Sequence, residues 1–297
     1  MADETSEGGA EALAPGAGVD ERRISRRRFL ERAAAAVTTV AGVAVGLHAV
    51  GETQGLEVTR IAIGVRKLPD RLAGFTIALL SDLHFSVIHP IGHIRRAIDL
   101  TNSLKPDLIA LAGDYTWHGA ARVNPVFREL GRLRAPHGVF AVLGNHDYWD
   151  GASVAREAMA AAGIPELHND NAKIMTDDGS FYLAGLDDPW AGKPRVEKAL
   201  GGIPLVRPVI MIAHQPVCVR MLQDDRVSLM LSGHTHGGQI VLPFIGAPVT
   251  PGPRKLTSGL VQGPHCPVFI TRGVGYAGVP IRINCPPEVA LITLQPA

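Results

Sequence analysis

Five stretches of the chain repeat one pattern: a short, unbroken apolar run that breaks into Gly or Ser and then into Asp, Asn or His. They read FTIALLSDLH (75–84), DLIALAGDY (107–115), GVFAVLGNHDYW (138–149), VIMIAHQP (209–216) and VSLMLSGHTHGG (227–238). A continuous, β-branched apolar run is the signature of a strand buried on both faces. Between the first four runs lie segments with helical spacing of apolar residues. Ile91–Leu104 ends before Lys105-Pro106 and predicts the first crossover helix, with Pro125–Leu133 and Ser153–Ala162 as two more. Asp82 and Asp114 are 32 residues apart, and Asp114 and Asn145 are 31 apart. Each interval is close to the roughly 30 residues of one βαβ unit, so parallel strands carry these three positions to one sheet edge. Beyond Gly163 the alternation weakens. Lys173–Met175 and Phe181–Ala184 look like strands of a second sheet, and Pro267–Thr271 and Val289–Leu294 are further strands. The class is α/β, with no internal repeat.

The front of the chain is different. Residues 1–24 begin Ala-, Gly- and Glu-rich without apolar periodicity and read as a disordered tail. Residues 25–50 open with Ser25-Arg26-Arg27-Arg28-Phe29-Leu30 and continue into an uncharged stretch, Ala33 to Val50. An arginine cluster before a moderately apolar segment is an export signal, and paired arginines before Phe-Leu resemble the twin-arginine type. That predicts the twin-arginine export machinery as a partner, and a catalytic domain in the periplasm or on the outer face of the cytoplasmic membrane. Small residues at Ala44-Val45-Gly46 and Ala49-Val50-Gly51 offer cleavage sites, while 18 residues also reach the lower limit for a membrane anchor.

Residues 51–297 then form one domain large enough for a sizeable core. Residues 1–50 carry seven acidic and six basic side chains, leaving 23 basic against 21 acidic in the domain, a formal +2. That balance predicts no nucleic-acid partner, which would need a basic face. Cys218, Cys266 and Cys285 have no metal-type spacing and cannot all pair, so buried free thiols are expected.

The polar residues ending the five runs are two Asp, one Asn and four His outside the flanking positions: Asp82, His84, Asp114, Asn145, His214, His234 and His236. Oxygen and imidazole donors without thiolate suit Mn²⁺, Fe²⁺ or Zn²⁺. In open α/β sheets, sites form outside the carboxyl ends of the strands, where all seven fall.

The ordered set D-x-H, G-D, G-N-H-D, H and G-H-x-H, running from Phe75 to the C-terminus, resembles the calcineurin-like metallophosphoesterase family. GNHDYW, LSGHTHGGQ, LPFIGAPV and INCPPE resemble its exported, twin-arginine branch. The resemblance implies a four-layer αββα sandwich of two mixed sheets flanked by helices. It also implies two divalent metal ions: Asp82, His84 and His236 on one, Asn145, His214 and His234 on the other, and Asp114 between them. In-line attack of a metal-bridging hydroxide on a phosphate ester would follow, with His146 as the catalytic histidine. Asp147 either orients His146 or caps the following turn. The family often has Asp where Trp117 stands, which puts a supporting contact in doubt. Neutral ligating histidines predict activity falling below about pH 6.5.

Trp117, Trp149 and Trp190, with Tyr115 and Tyr148, predict an aromatic rim. Leu242–Gly246 adds apolar residues, and Arg254 and Lys255 add cations. This suits a lipid-linked or envelope phosphodiester or pyrophosphate, or contact with a membrane surface. The alternative is that these tryptophans simply pack the loops. Hydrolysis like that of UDP-2,3-diacylglucosamine is what the family resemblance implies. Arg272-Gly273-Val274-Gly275 reads either as a phosphate or head-group site or as a surface turn. His89, His93, His118, His137, His168 and His265 read as surface or supporting residues, His118 being the exception nearest the site. The alternatives are a phosphomonoesterase of the same fold, or a non-catalytic metal- or wall-binding module, which would be expected to have lost a ligand. Peptide hydrolysis lacks its H-E-x-x-H pattern.

Overall fold

The structure, a computed structural model, describes residues 51–297 and, before them, only Glu31, Ala35, Thr38, Thr39 and Gly46, each helical. The expected tail and most of the export signal lie outside the described residues. Among the described residues no helix is long and apolar enough to cross a membrane.

All five apolar runs are strands: β2 (Thr76–Leu80), β3 (Leu108–Leu111), β4 (Val139–Ala141), β7 (Val209–Ala213) and β8 (Leu229–Ser232). The first three lie side by side and parallel, joined by α1 (Ile91–Ser103) and α2 (Val123–Leu130). The chain-order strands β1 (Glu57–Val65) and β11 (Glu288–Pro296) complete a five-stranded sheet in the order β1-β11-β2-β3-β4, with β11 antiparallel to β2. The second sheet has β5 (Asp170–Thr176), β6 (Gly179–Leu186), β9 (Gly259–Gln262) and β10 (Pro267–Ile270) in the order β5-β6-β7-β8-β10-β9. Both sheets are mixed.

Burial on both faces explains the unbroken apolar runs. Ile77, Leu79, Leu108 and Ala110 point between the sheets at Phe181, Leu183, Ile210 and Leu231. Their neighbours Ala78, Leu80, Ile109 and Leu111 pack on Ile94 and Ile98 of α1 and Val126 and Phe127 of α2. The second sheet turns Leu186, Met211 and Met230 outward onto Leu200, Cys218 and Val219. This outer layer is thin: it is built from the four-residue α4 (Val196–Ala199) and a 3₁₀ segment at Pro216–Met221. Cys218, Cys266 and Cys285 are all buried free thiols.

The remaining helix, α3, spans Asn145–Ala161 and starts eight residues before the expected Ser153. It is kinked at Gly151, whose φ is 119°. Its first turn therefore carries Asn145, His146 and Asp147 at the carboxyl end of β4. The carboxyl ends of β2, β3, β4, β7 and β8 meet at one edge of the sandwich, and the polar residues gather there.

Candidate metal centre

Past the ends of the strands the backbone keeps its ladder pairing: Asp82 N–H donates to Gly113 O (2.9 Å), His84 N–H to Asp114 O (3.1 Å) and Gly233 N–H to His214 O (3.0 Å). These loops are held tightly enough to impose strain. Asp82, His84, Asp114, His234 and His236 all have positive φ, between 45° and 70°. The left-handed conformation costs an L-residue about 1–2 kcal/mol, and such residues collect at functional sites. Two glycines permit the close approach. A methyl group at Gly144 would overlap Asp114 Oδ1, and one at Gly233 would overlap Ser81 and Asp82.

The seven residues converge. Nε2 of His84 and Nε2 of His236 face each other at 3.0 Å, 3.9 and 3.5 Å from Asp82 Oδ1. Asp114 Oδ2 lies 3.7 Å from His84 Nε2 and 3.1 Å from His214 Nε2. His214 Nε2 in turn lies 3.2 Å from His234 Nδ1. Two triads result, Asp82–His84–His236 and Asp114–His214–His234, with one oxygen of Asp114 facing both, and a third group, His84–Asp114–His146, lies between them. Asn145 is buried, and its Oδ1 has no protein partner.

The donor set fits divalent cations. Buried polar atoms are normally hydrogen-bonded, yet Asn145 Oδ1 has no partner in the protein, and Nε2 of His84 has Nε2 of His236 as its hydrogen-bonding neighbour. The two facing imidazole nitrogens can share at most one proton, whereas a cation satisfies both lone pairs. His214 has its Nδ1 2.7 Å from Ala112 O, an N–H donor bond that leaves Nε2 aimed at Asp114.

Protonation separates the histidines. Burial lowers His84 and His234 to about 3, and puts His236 well below its usual value, so these three are neutral donors. Burial also disfavours a charge on His214, but Asp114, followed by Asp82 and Asp188, outweighs it and raises the imidazole to about 10. Burial raises Asp82 to about 6, with His214 pulling down and Asp114 pushing up. Burial works against the Asp114 carboxylate too, but His214 and His84 hold it well below its usual range. Cations must displace the His214 proton, so apparent metal affinity should rise with pH, with a log–log slope of about one between pH 6 and 10. The rise should steepen at lower pH, where burial also favours the protonated Asp82. Calorimetric metal titration in buffers of different ionisation enthalpy measures the protons released. Affinity independent of pH from 6 to 9 would refute this assignment.

His146 is anchored beside the triads through its backbone N–H, which donates to Asp114 Oδ1 (2.9 Å). Its ring stacks on Trp117 at 4.3 Å and meets the Trp149 ring edge-on at 4.6 Å. Trp117 thus supplies an aromatic platform where the resemblance led to an acidic contact. Burial lowers the His146 pKa, with Asp114 opposing. Asp147 proves to be a cap and a clamp. Its carboxylate accepts from Gly144 N–H (2.9 Å), closing the first turn of α3, and from Asp114 N–H and Tyr115 N–H (both 2.8 Å).

His84, Asp114, Asn145, His146, His234 and His236 form one side of a cavity of about 380 Å³. Trp117, Trp149, Trp190, Ile240, Val249 and Val279 supply the apolar side. The expected tyrosines are elsewhere. Tyr115 is buried, bonding Val142 O (2.8 Å), and Tyr148 bonds Asp187 outside the cavity. His118 is exposed and belongs to neither triad. His89 and His93 are buried rather than superficial, and His89 Nδ1 braces Leu83 O (2.5 Å) behind the His84 loop.

Arg272–Gly275 is a supporting turn. Gly273 packs on Asp82, Gly275 packs on Leu83, and Arg272 pairs with Glu288 (2.8 Å). Sequence reasoning missed Arg282, whose side chain is wholly buried behind this turn and bonds the carbonyls of Gly275, Arg272 and Cys285. Its only sequence signal is a lone arginine within the otherwise uncharged run VPIRINCPP.

Comparison with known proteins gives a consistent result. The family model described as calcineurin-like phosphoesterase matches residues 75–238. The phosphodiesterase YaeI of Escherichia coli is 36% identical over 280 residues, covering 91% of this chain and 99% of that protein. The uncharacterized metallophosphoesterase YkuE of Bacillus subtilis is 34% identical, covering 92% and 99%. A zebrafish (Danio rerio) transmembrane protein with a metallophosphoesterase domain is 32% identical, and there the match covers 93% of this chain and 65% of the longer relative.

Proposed function

The chain belongs to the calcineurin-like phosphoesterase family, and on that premise we propose that it is an exported, two-metal phosphodiesterase acting on an ester that carries an apolar group. The observation that supports the metal count is the pair of triads meeting at Asp114 Oδ2. In this reading Asp82, His84 and His236 hold one ion, Asn145, His214 and His234 hold the other, and Asp114 serves both. When bound, such a pair supplies Lewis-acid polarisation of phosphate oxygens and a nucleophile generated from water at neutral pH.

The chain's own residues do the rest. Ala112 O and the buried surroundings fix which imidazole nitrogens face inward. Asp147 holds the Asp114 and Gly144 loops in register, so donor positions are set before substrate arrives. His146, held between Trp117 and Trp149, presents its ring at the cavity to donate to a phosphate or leaving-group oxygen. The tryptophan and aliphatic wall excludes water and accepts an apolar leaving group or acyl chain. The diester and lipid or envelope reading draws on that wall and on the name of the E. coli relative. Export draws on Ser25–Leu30 and the apolar run after it, with the domain outside the cytoplasmic membrane.

The test is hydrolysis of an aryl phosphomonoester, an aryl phosphodiester and UDP-2,3-diacylglucosamine by metal-stripped protein reloaded with Mn²⁺. His146→Gln is expected to keep its metals and lose about 10²–10⁴-fold in turnover. Preferred cleavage of the monoester would overturn the diester reading. Unchanged turnover in His146→Gln would remove that residue from the chemistry.

A further inference from the structure

The loop that follows the last two histidines turns its apolar residues away from the domain. Leu242 and Gly246 pair both ways (2.9 Å each), making a tight hairpin with Phe244 at its tip. Phe244 has a φ of 66°, a strained value for a bulky residue. It is fully exposed, and Ile245 beside it is largely so. The hairpin is not loose. Val241 N–H donates to Ile283 O (2.8 Å) and Ile283 N–H to Gln239 O (3.0 Å), while the Gln239 side chain bonds Ala277 N–H and Val279 O (both 2.9 Å). A fixed, strained turn thus holds a phenylalanine and an isoleucine in water.

More exposed apolar residues lie alongside. Val279 sits on the segment that Gln239 holds, and Val87 and Ile88 flank it, Ile88 O being bound by Tyr276. The stretches 85–93, 239–257 and 272–283 contain no Asp or Glu. Arg254 and Lys255 follow the hairpin, both exposed and, among the described residues, without an ion pair. The loop starts two residues after His236-Gly237, and its Ile240 and Val249 line the metal cavity, so the patch is continuous with the mouth. Finally, Glu52 accepts from Asn284 N–H (2.9 Å) and Thr53 Oγ1 from Arg282 N–H (2.9 Å). Glu52 and Thr53, at the start of the continuously described residues, therefore lie beside Ile283, at the same edge.

We infer that the Ile240–Pro251 loop, with Val87, Ile88 and Val279, is a docking surface for an anionic lipid bilayer, seating the mouth of the metal centre on the membrane. Exposed apolar side chains on stretches that carry Arg254 and Lys255 but no Asp or Glu match the acyl boundary and the anionic head groups above it. Trp149 and Trp190, exposed at the rim, suit the same depth. The inference rests on the membrane-ester reading above only for what docking would serve.

The test uses the full chain with Ile245→Cys carrying an environment-sensitive fluorophore, mixed with phosphatidylcholine vesicles with or without phosphatidylglycerol. The native cysteines are buried, which directs the label to position 245. A blue shift is expected with phosphatidylglycerol vesicles, weaker without the anionic lipid, and lost when Phe244→Glu is added. Phe244→Glu should also lower turnover of a vesicle-borne diester about tenfold, from the lost burial of one large side chain, while leaving a soluble aryl diester unaffected. A probe left in water while the protein sediments with vesicles would overturn the inference, since the N-terminal run alone would then be the tether. A probe already shielded without vesicles would overturn it too, by showing the patch covered by that run or by a second copy. If wild type leaves the soluble diester intact while the probe inserts, the catalytic reading fails and the docking surface stands.

Discussion

Asp114→Asn is expected to cut metal-dependent turnover about 10³-fold or more and to leave the protein able to hold one ion rather than two. The carboxylate lies within 4 Å of imidazoles from both triads. Asparagine keeps the shape and can still accept from His146 N–H through Oδ1, the bond that seats His146. What it removes is the charge facing His84 and His214. Loss of Lewis-acid stabilisation worth several kcal/mol, at 1.36 kcal/mol per decade, gives the expected factor. The substitution should not unfold the metal-stripped protein. The new amide N–H₂ can donate to His214 Nε2, and without the carboxylate that imidazole loses the main influence raising its pKa. Metal content by plasma emission, thermal unfolding of stripped protein and turnover together separate the outcomes. A variant that still loads two ions and keeps its rate would refute the bridging role of Asp114.

The part of this site legible in the sequence is the part that sits at strand ends. Ile77 to Leu80 and Ile109 to Leu111 are apolar at every position because both faces are covered, so strand and site boundary coincide at Ser81 and Ala112. Strand β1, in contrast, reads EVTRIAIGV, and its exposed edge admits Glu57, Arg60 and Ala62. No continuous run marks it, and its pairing with β11 spans more than 220 residues. The start of α3 was hidden for a local reason. Gly-Asn-His-Asp resembles a loop, yet the acidic residue three positions after Gly144 is a capping-box signal that would have placed the helix at Asn145. Tyr115 beside a catalytic motif suggested a rim. Its neighbour Asp114 points to the site, and the next side chain along the turn points the other way, into the core under Phe127. Left-handed φ at five of the seven donors is a property of tertiary closure, and no residue type announces it.

Arg282 marks the limit of such reading, and its replacement should have the largest effect on stability. The guanidinium is wholly buried, and the hydrogen bonds it makes among the described residues go to backbone carbonyls and the Cys285 sulfur. Its Nη1 donates to Cys285 O (2.9 Å), its Nη2 to Arg272 O (2.8 Å) and to Gly275 O, and its Nε also to Gly275 O (3.1 Å). Burial lowers its pKa, but arginine keeps its charge in proteins. These bonds tie residues 272–275, which press on Asp82 and Leu83, to the segment at Cys285 whose sulfur donates to His236 O (3.2 Å). One side chain therefore holds the rear of the triad Asp82–His84–His236. Arg282→Met fills much of the volume but leaves several buried carbonyls unpaired, at about 1–3 kcal/mol each. A net loss of about 3–5 kcal/mol corresponds to a fall of about 10–15 °C in Tm for a domain of this size. Arg282→Lys keeps the charge without the planar fork and should fall between the two. Both variants should lose affinity at the Asp82 triad more than at the Asp114–His214–His234 triad, visible as stepwise rather than joint loading in a Mn²⁺ titration. Wild-type Tm and joint loading in Arg282→Met would mean that the carbonyls find other partners and that the arginine does not support the site.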